Sequence, residues 1–129
     1  MAHLTIEYSP TLDERADIPA LCRTLHAIML ADPLFPDAGI RVRAYKAEFA
    51  LVADGLVEND FVAMTLNVGA GRTKNELRAA GNALFEASQA KLSEPLDTPH
   101  FALSLEIREI DAELSWKDTP IHSRLSKGK

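Results

Sequence analysis

One cysteine, Cys22, is the only thiol in this chain. That excludes an intrachain disulfide and a multi-thiolate metal centre. Basic charge is also short: 14 Lys and Arg stand against 19 Asp and Glu, for a formal charge of -5. A bulk nucleic-acid or anionic-membrane binder needs the opposite sign. An anionic small molecule needs a local cluster of arginines instead. No apolar run reaches the length of a membrane span, and no basic stretch precedes a greasy one at the start, so a cytoplasmic protein is expected. The four histidines, His3, His26, His100 and His122, lack the short spacings of a zinc or iron site, and no metal or cofactor is expected. His26 and Cys22 read as helix residues near the core rather than as a ligand and a nucleophile.

What remains is 129 residues with 47% apolar side chains, enough for one real core and too few for separate binding and catalytic modules. Residues 3–8 alternate as a strand, with Leu4, Ile6 and Tyr8 on one face and His3, Thr5 and Glu7 on the other. From about Leu12 to Ala31, Ile18, Leu21, Leu25, Ile28 and Met29 share a helical stripe, with Thr11 or Asp13 as cap. Pro19 implies either a regular helix beginning near Ile18 or a separate first turn. Asp32–Gly39 is a loop and Ile40–Ala47 a second strand, with Arg41, Arg43 and Tyr45 on one face. Phe49–Val52 extends it or makes a short edge element.

Phe61–Val68 is apolar on both faces and reads as a central strand covered on both sides. Gly69–Arg72 ends it. Thr73 and Glu76 then form a capping box for a helix to about Leu92, with Leu77, Leu84, Phe85 and Leu92 toward the core. A fourth strand, Phe101–Ile110, points Phe101, Leu103, Leu105 and Ile107 to one side. The tail from Asp111 is polar apart from Leu114, Trp116, Ile121 and Leu125.

Strand, helix and strand therefore occur twice, over 3–47 and 61–108. The expectation is one α/β (α+β-like) domain, 1–129: tandem β-α-β units over about 1–57 and 58–110, then a C-terminal arm, 111–129. Right-handed crossovers give a four-stranded mixed sheet with two helices on one face. The other face then lacks a cover. Its apolar character predicts another copy of the chain there, or the tail folded back over it.

Three features bear on chemistry. Arg41 and Arg43 lie two apart on one strand and so on one face. They bind a carboxylate, or they sit on a solvated face partnered by Glu7 and Thr5. Arg72 stands in a strand-to-helix turn, where backbone N–H groups and a guanidinium suit an anion. That turn lacks the Lys-Ser/Thr ending of a nucleotide loop.

Taken together, the opening strand, Phe35-Pro36-Asp37-Ala38-Gly39-Ile40-Arg41-Val42-Arg43, Asp60–Thr73 with its Gly-Ala-Gly-Arg turn, and Phe101–Ile107 resemble the 5-carboxymethyl-2-hydroxymuconate isomerases of the tautomerase superfamily. The resemblance implies a tautomerase-like homotrimer of fused β-α-β units and a place in aromatic-compound catabolism. It also implies cofactor-free proton and double-bond transfer in an unsaturated hydroxy- or oxo-dicarboxylate. Arginines bind the carboxylates and stabilise the dienolate, and the base is an amino-terminal proline. Arg41, Arg43 and Arg72 are the matching arginines. The departure is Ala2, where the family has its proline. Once Met1 is removed, Ala2 offers a primary amine with a reference pKa of about 7.7–8.0. While Met1 is attached, its nitrogen is a peptide nitrogen and no base. Glu7 or His3 is the substitute base. The alternative is an inactive or weakly active trimer that binds a small carboxylate.

Overall fold

The computed structural model describes residues 1–127. Four strands form one sheet: β1 (Ala2–Tyr8), β2 (Ile40–Lys46), β3 (Asp60–Gly69) and β4 (Phe101–Ile110), in the order β2-β1-β3-β4. β1 and β2 are parallel, as are β3 and β4, whereas β1 and β3 run antiparallel. Each parallel pair is joined through a helix, α1 (Ile18–Ala31) or α2 (Lys74–Lys91). A short α3 (Ser93–Leu96) follows α2, and α4 (Pro120–Lys127) lies in the tail.

Strand alternation explains which side the helices cover. Ala2, Leu4, Ile6 and Tyr8 point to one face, beside Val62, Met64, Leu66 and Val68, and all are buried. Leu21, Leu25 and Met29 of α1 and Leu77, Ala80 and Leu84 of α2 pack on that face in one cluster. Burying each Leu there contributes about 2 kcal/mol. Phe101, Leu103, Leu105 and Ile107 of β4 are half-buried at its edge. α2 approaches β4 closely because residue 81 is glycine: a Cβ there would lie 3.1 Å from Ile107 Cδ1.

The helix starts follow local chemistry. Asp17, rather than Thr11 or Asp13, caps α1 by accepting from the Ala20 N–H at 2.9 Å, and Pro19 sits in the first turn, where it removes no needed donor. Leu12–Glu14 is a separate 3-10 turn. Thr73 and Glu76 make the capping box of α2.

At the far end of β3, Asp60 is 2% exposed. It accepts hydrogen bonds from Ser9 Oγ at 2.6 Å and Thr11 Oγ1 at 2.7 Å, and pairs with Arg15. Three neighbouring side chains of the first β-α-β unit thus converge on Asp60 of the second and tie the two together.

Two expectations need correction. The sheet face away from the helices is mixed, not apolar: it carries His3, Thr5, Glu7, Arg41, Arg43, Thr65, Asn67, Glu106 and Arg108, with Tyr45, Phe61, Ala63, Ala102 and Ile110 among its less polar members. The strict alternation of β3 puts Val62, Met64, Leu66 and Val68 together, so its long apolar run has one covered face and one mixed face. Phe49–Val52 neither extends β2 nor forms an edge strand. It belongs to an irregular loop with Phe49, Leu51, Leu56 and Val57 exposed.

Candidate active site

β1 begins in the middle of the sheet. Ala2 lies beside Ile40 of β2 and Val68 of β3, so the chain's amino end is held by strands on both sides. The Gly69 N–H donates to the Met1 carbonyl at 3.1 Å. Ala2 is fully buried, with its side chain on the helix face. Gly39 makes room for the end of the chain, since a Cβ there would lie 3.1 Å from both Met1 N and Met1 Cα.

A cavity of about 570 Å³ opens at this point. Met1, His3, Ala38, Gly39 and Arg41 form one wall, and Trp116, Lys117, Thr119 and His122 of the tail form the other. The arm thus folds back over the start of β1, and α4 packs against the 3-10 turn Asp37–Gly39.

The three arginines are placed differently. Arg41 lines the cavity, and its Nη1 donates to the carbonyls of Ala38 at 2.8 Å and Ile40 at 3.3 Å. Among the described residues it has no carboxylate partner, so its remaining N–H groups can receive an anion. Arg43 follows two residues on along the same face, beside Thr5, and is exposed. Neither Glu7 nor Thr5 bonds to Arg41 or Arg43 among the described residues.

Arg72 points inward. Its Nε and Nη2 donate to the Leu34 carbonyl at 3.2 and 3.1 Å, and its Nη1 donates to the Gly69 carbonyl at 2.9 Å. The guanidinium carbon also sits 5.8 Å from the centre of the buried Phe35 ring. The groove of about 740 Å³ beside it meets the start of α2, where Thr73 and Glu76 already cap the backbone. This turn therefore holds its own structure together at the positions where an anion would bind.

The surroundings of the chain's first residue disfavour positive charge. Burial holds the Met1 amine below its ordinary value, and the charges of Arg72, Lys117 and Arg41 push the same way. His3 is also lowered, by burial first and then by Arg41, Arg43 and the terminal amine. Cys22 is half-buried against the core with its thiol pushed up by burial, which suits packing and not nucleophilic attack. His26 is exposed on α1 instead of near the core. Among the described residues no group of three or more His, Cys, Asp or Glu is arranged to hold a metal, and no helix is long and apolar enough to cross a membrane.

Sequence reasoning offered the tail folding back as one alternative, but it did not single out Lys117 or place the tail at the start of β1. Nothing in the spacing of a polar tail shows that it returns to the first strand, although Leu114, Trp116, Ile121 and Leu125 signal that it does not simply trail in solvent.

The sheet order, the two parallel β-α-β units and the amino end held at mid-sheet define the fold of the tautomerase superfamily. Distant solved structures share it, among them a macrophage migration inhibitory factor from Trichinella spiralis. That structure is 14% identical with a TM-score of 0.58, and the match covers 91% of this chain and 97% of the other. Within that superfamily, this chain belongs to the 5-carboxymethyl-2-hydroxymuconate isomerase family, whose model matches residues 2–125. It is 34% identical over 123 residues to the 5-carboxymethyl-2-hydroxymuconate Delta-isomerase of Escherichia coli, covering 95% of this chain and 98% of the relative. A solved 5-carboxymethyl-2-hydroxymuconate isomerase from Deinococcus radiodurans R1 is 35% identical with a TM-score of 0.87, over 96% of this chain and 93% of that one.

Proposed function

We propose that this isomerase moves a proton and a double bond within 5-carboxymethyl-2-hydroxymuconate or a close unsaturated hydroxy- or oxo-carboxylate, in the cytoplasm and without a cofactor. The observation that carries the reading is the meeting of the start of β1 with Arg41 in one cavity. The base is the primary amine of Ala2, freed by removal of Met1. Burial and the charges of Arg72, Lys117 and Arg41 depress the amine of Met1, and the Ala2 amine, one residue further along the same strand, is expected to be depressed in the same direction. The amine takes a proton from the dienol and the resulting ammonium returns one at the far end of the conjugated system. No atom is gained or lost. Arg41 binds a carboxylate and stabilises the negative oxygen of the dienolate. Arg43 adds positive potential along the same face. Arg72 acts from behind, fixing the turn and lowering the amine's pKa.

The working form is a homotrimer. Support comes from the uncovered mixed sheet face and from the exposed Phe49, Leu51, Leu56 and Val57, a patch that a neighbouring copy would bury. A monomeric mass at micromolar concentration would remove this part of the reading.

The test is ultraviolet observation of 5-carboxymethyl-2-hydroxymuconate isomerisation by untagged protein whose intact mass lacks Met1. Turnover well above buffer is expected. The absence of turnover, with tight binding of a carboxylate retained, would favour the non-catalytic carboxylate-binding homologue.

A further inference from the structure

Two Lys or Arg side chains of this chain line the cavity at the start of β1: Arg41 on β2 and Lys117 on the C-terminal arm. Arg72 is close to the amine, yet Nε, Nη1 and Nη2 all donate to the chain's own carbonyls. Three of its five N–H donors are therefore committed to the fold, and each of its three nitrogens is tethered to a backbone carbonyl. Lys117 differs: it is exposed, lines the wall formed by the arm, and makes no hydrogen bond or ion pair among the described residues. A flexible ammonium with three donors in a water-accessible wall is suited to a carboxylate whose position varies. Asp118 and His122 share that wall, and the single negative charge of Asp118 leaves it with Lys117 and Arg41 net positive.

The chemistry of the proposed substrate makes a second cation necessary. A hydroxymuconate carries two carboxylates, and its carboxymethyl branch adds a third. Arg41 alone can meet one. We propose that Lys117, rather than Arg72, binds the carboxylate of the carboxymethyl branch, and that the arm thereby sets the preference for substrates bearing this additional carboxylate. This rests on the placing of the active site at the start of β1. The depression of the terminal amine by Lys117, second only to Arg72 among the cations, agrees with its position over the site.

The experiment has a kinetic arm and a binding arm. In the first, kcat/KM is measured for 5-carboxymethyl-2-hydroxymuconate and for 2-hydroxymuconate, which lacks the branch, on wild type, Lys117→Gln and Lys117→Arg. The expected result is a loss of about tenfold for the three-carboxylate substrate in Lys117→Gln, mostly in KM. The loss for the two-carboxylate substrate should be at least fivefold smaller, and Lys117→Arg should restore most of the difference. Equal losses for both substrates, or none for either, overturn the proposal while turnover itself upholds the isomerase reading. In the second arm, calorimetry follows propane-1,2,3-tricarboxylate and glutarate. If no substrate is turned over, a selective loss of tricarboxylate affinity in Lys117→Gln still supports Lys117 as the recognition residue. Absence of tricarboxylate binding to wild type, or affinity unchanged by the substitution, overturns it.

Discussion

Replacing Asp60 with alanine should destabilise the protein by about 3 kcal/mol and leave the chemistry alone. Asp60 is 2% exposed and accepts from Ser9 and Thr11 while pairing with Arg15. Two hydroxyl donors to a charged acceptor, at about 1.5 kcal/mol each, set the size of the loss. Arg15 adds little, because its side chain is 28% exposed and it keeps the Glu58 carbonyl at 3.1 Å, so solvent screens its orphaned charge. For a domain of this size, about 3 kcal/mol lowers the melting midpoint by roughly 10 °C. Asp60→Asn should cost less: its carbonyl oxygen can keep both hydroxyls, and only its NH2 group opposes the guanidinium. Burial alone would raise the Asp60 carboxyl, but the bonds from Ser9, Arg15 and Thr11 outweigh it and hold the group below the usual carboxylate value. A depressed folded pKa gives stability that is present above the unfolded value of about 3.9 and is lost as pH falls through the folded value. The gap between wild type and Asp60→Ala should therefore be full at pH 7 and shrink in strong acid. Urea unfolding at one fixed protein concentration measures this, since subunit association otherwise contributes. A loss under about 1 kcal/mol at pH 7, or a gap that widens in acid, would refute the reasoning. Asp60 lies at the opposite end of β3 from the cavity, so kcat/KM per folded molecule should be unchanged.

Further expectations concern the site and its supports. Arg41→Ala should raise KM for a carboxylate substrate by about tenfold or more, with a change in unfolding free energy under about 1 kcal/mol, because only two carbonyl contacts go with it. The rising limb of kcat/KM against pH should have its midpoint below that of an ordinary α-amine, since the catalytic amine must be unprotonated and the burial and cations that depress the Met1 amine surround this end of the chain. Arg41→Ala should move that midpoint upward, and an unmoved midpoint would separate this charge from the base. Gly39→Ala should be tolerated better by protein lacking Met1 than by protein retaining it, because the added Cβ would meet Met1 N and Cα at 3.1 Å. Paired melting curves of the two forms show this directly. Thr73→Ala should lower stability by about 1 kcal/mol through loss of the capping box.

The fold was legible where the pattern is local. Leu4, Ile6 and Tyr8 alternate on a half-buried strand, Thr73 and Glu76 announce α2, and Phe101–Ile110 is β4 to the residue. Competing local signals blurred α1: Thr11, Asp13 and Asp17 are all good caps, and only the turn at Leu12–Glu14 leaves Asp17 in the right place. The mixed face of the sheet was hidden by β3, whose apolar run obscures how polar its neighbours on β1, β2 and β4 are. Arg41 was legible as a candidate because two arginines two apart on a strand share a face. The inward turn of Arg72 depends on the Leu34 carbonyl, 38 residues away. The wall built by Lys117 and His122 depends on a chain return of more than 70 residues. Neither has a local signature.

The most direct measurement compares two preparations of the same chain, one with Met1 removed and one with it retained, each verified by intact mass. Both are assayed for isomerisation of 5-carboxymethyl-2-hydroxymuconate at equal concentration. Activity confined to the form with a free Ala2 amine is the predicted result. Equal activity in the two forms would contradict the account, because the Ala2 nitrogen of the longer chain is a peptide nitrogen and cannot accept the proton.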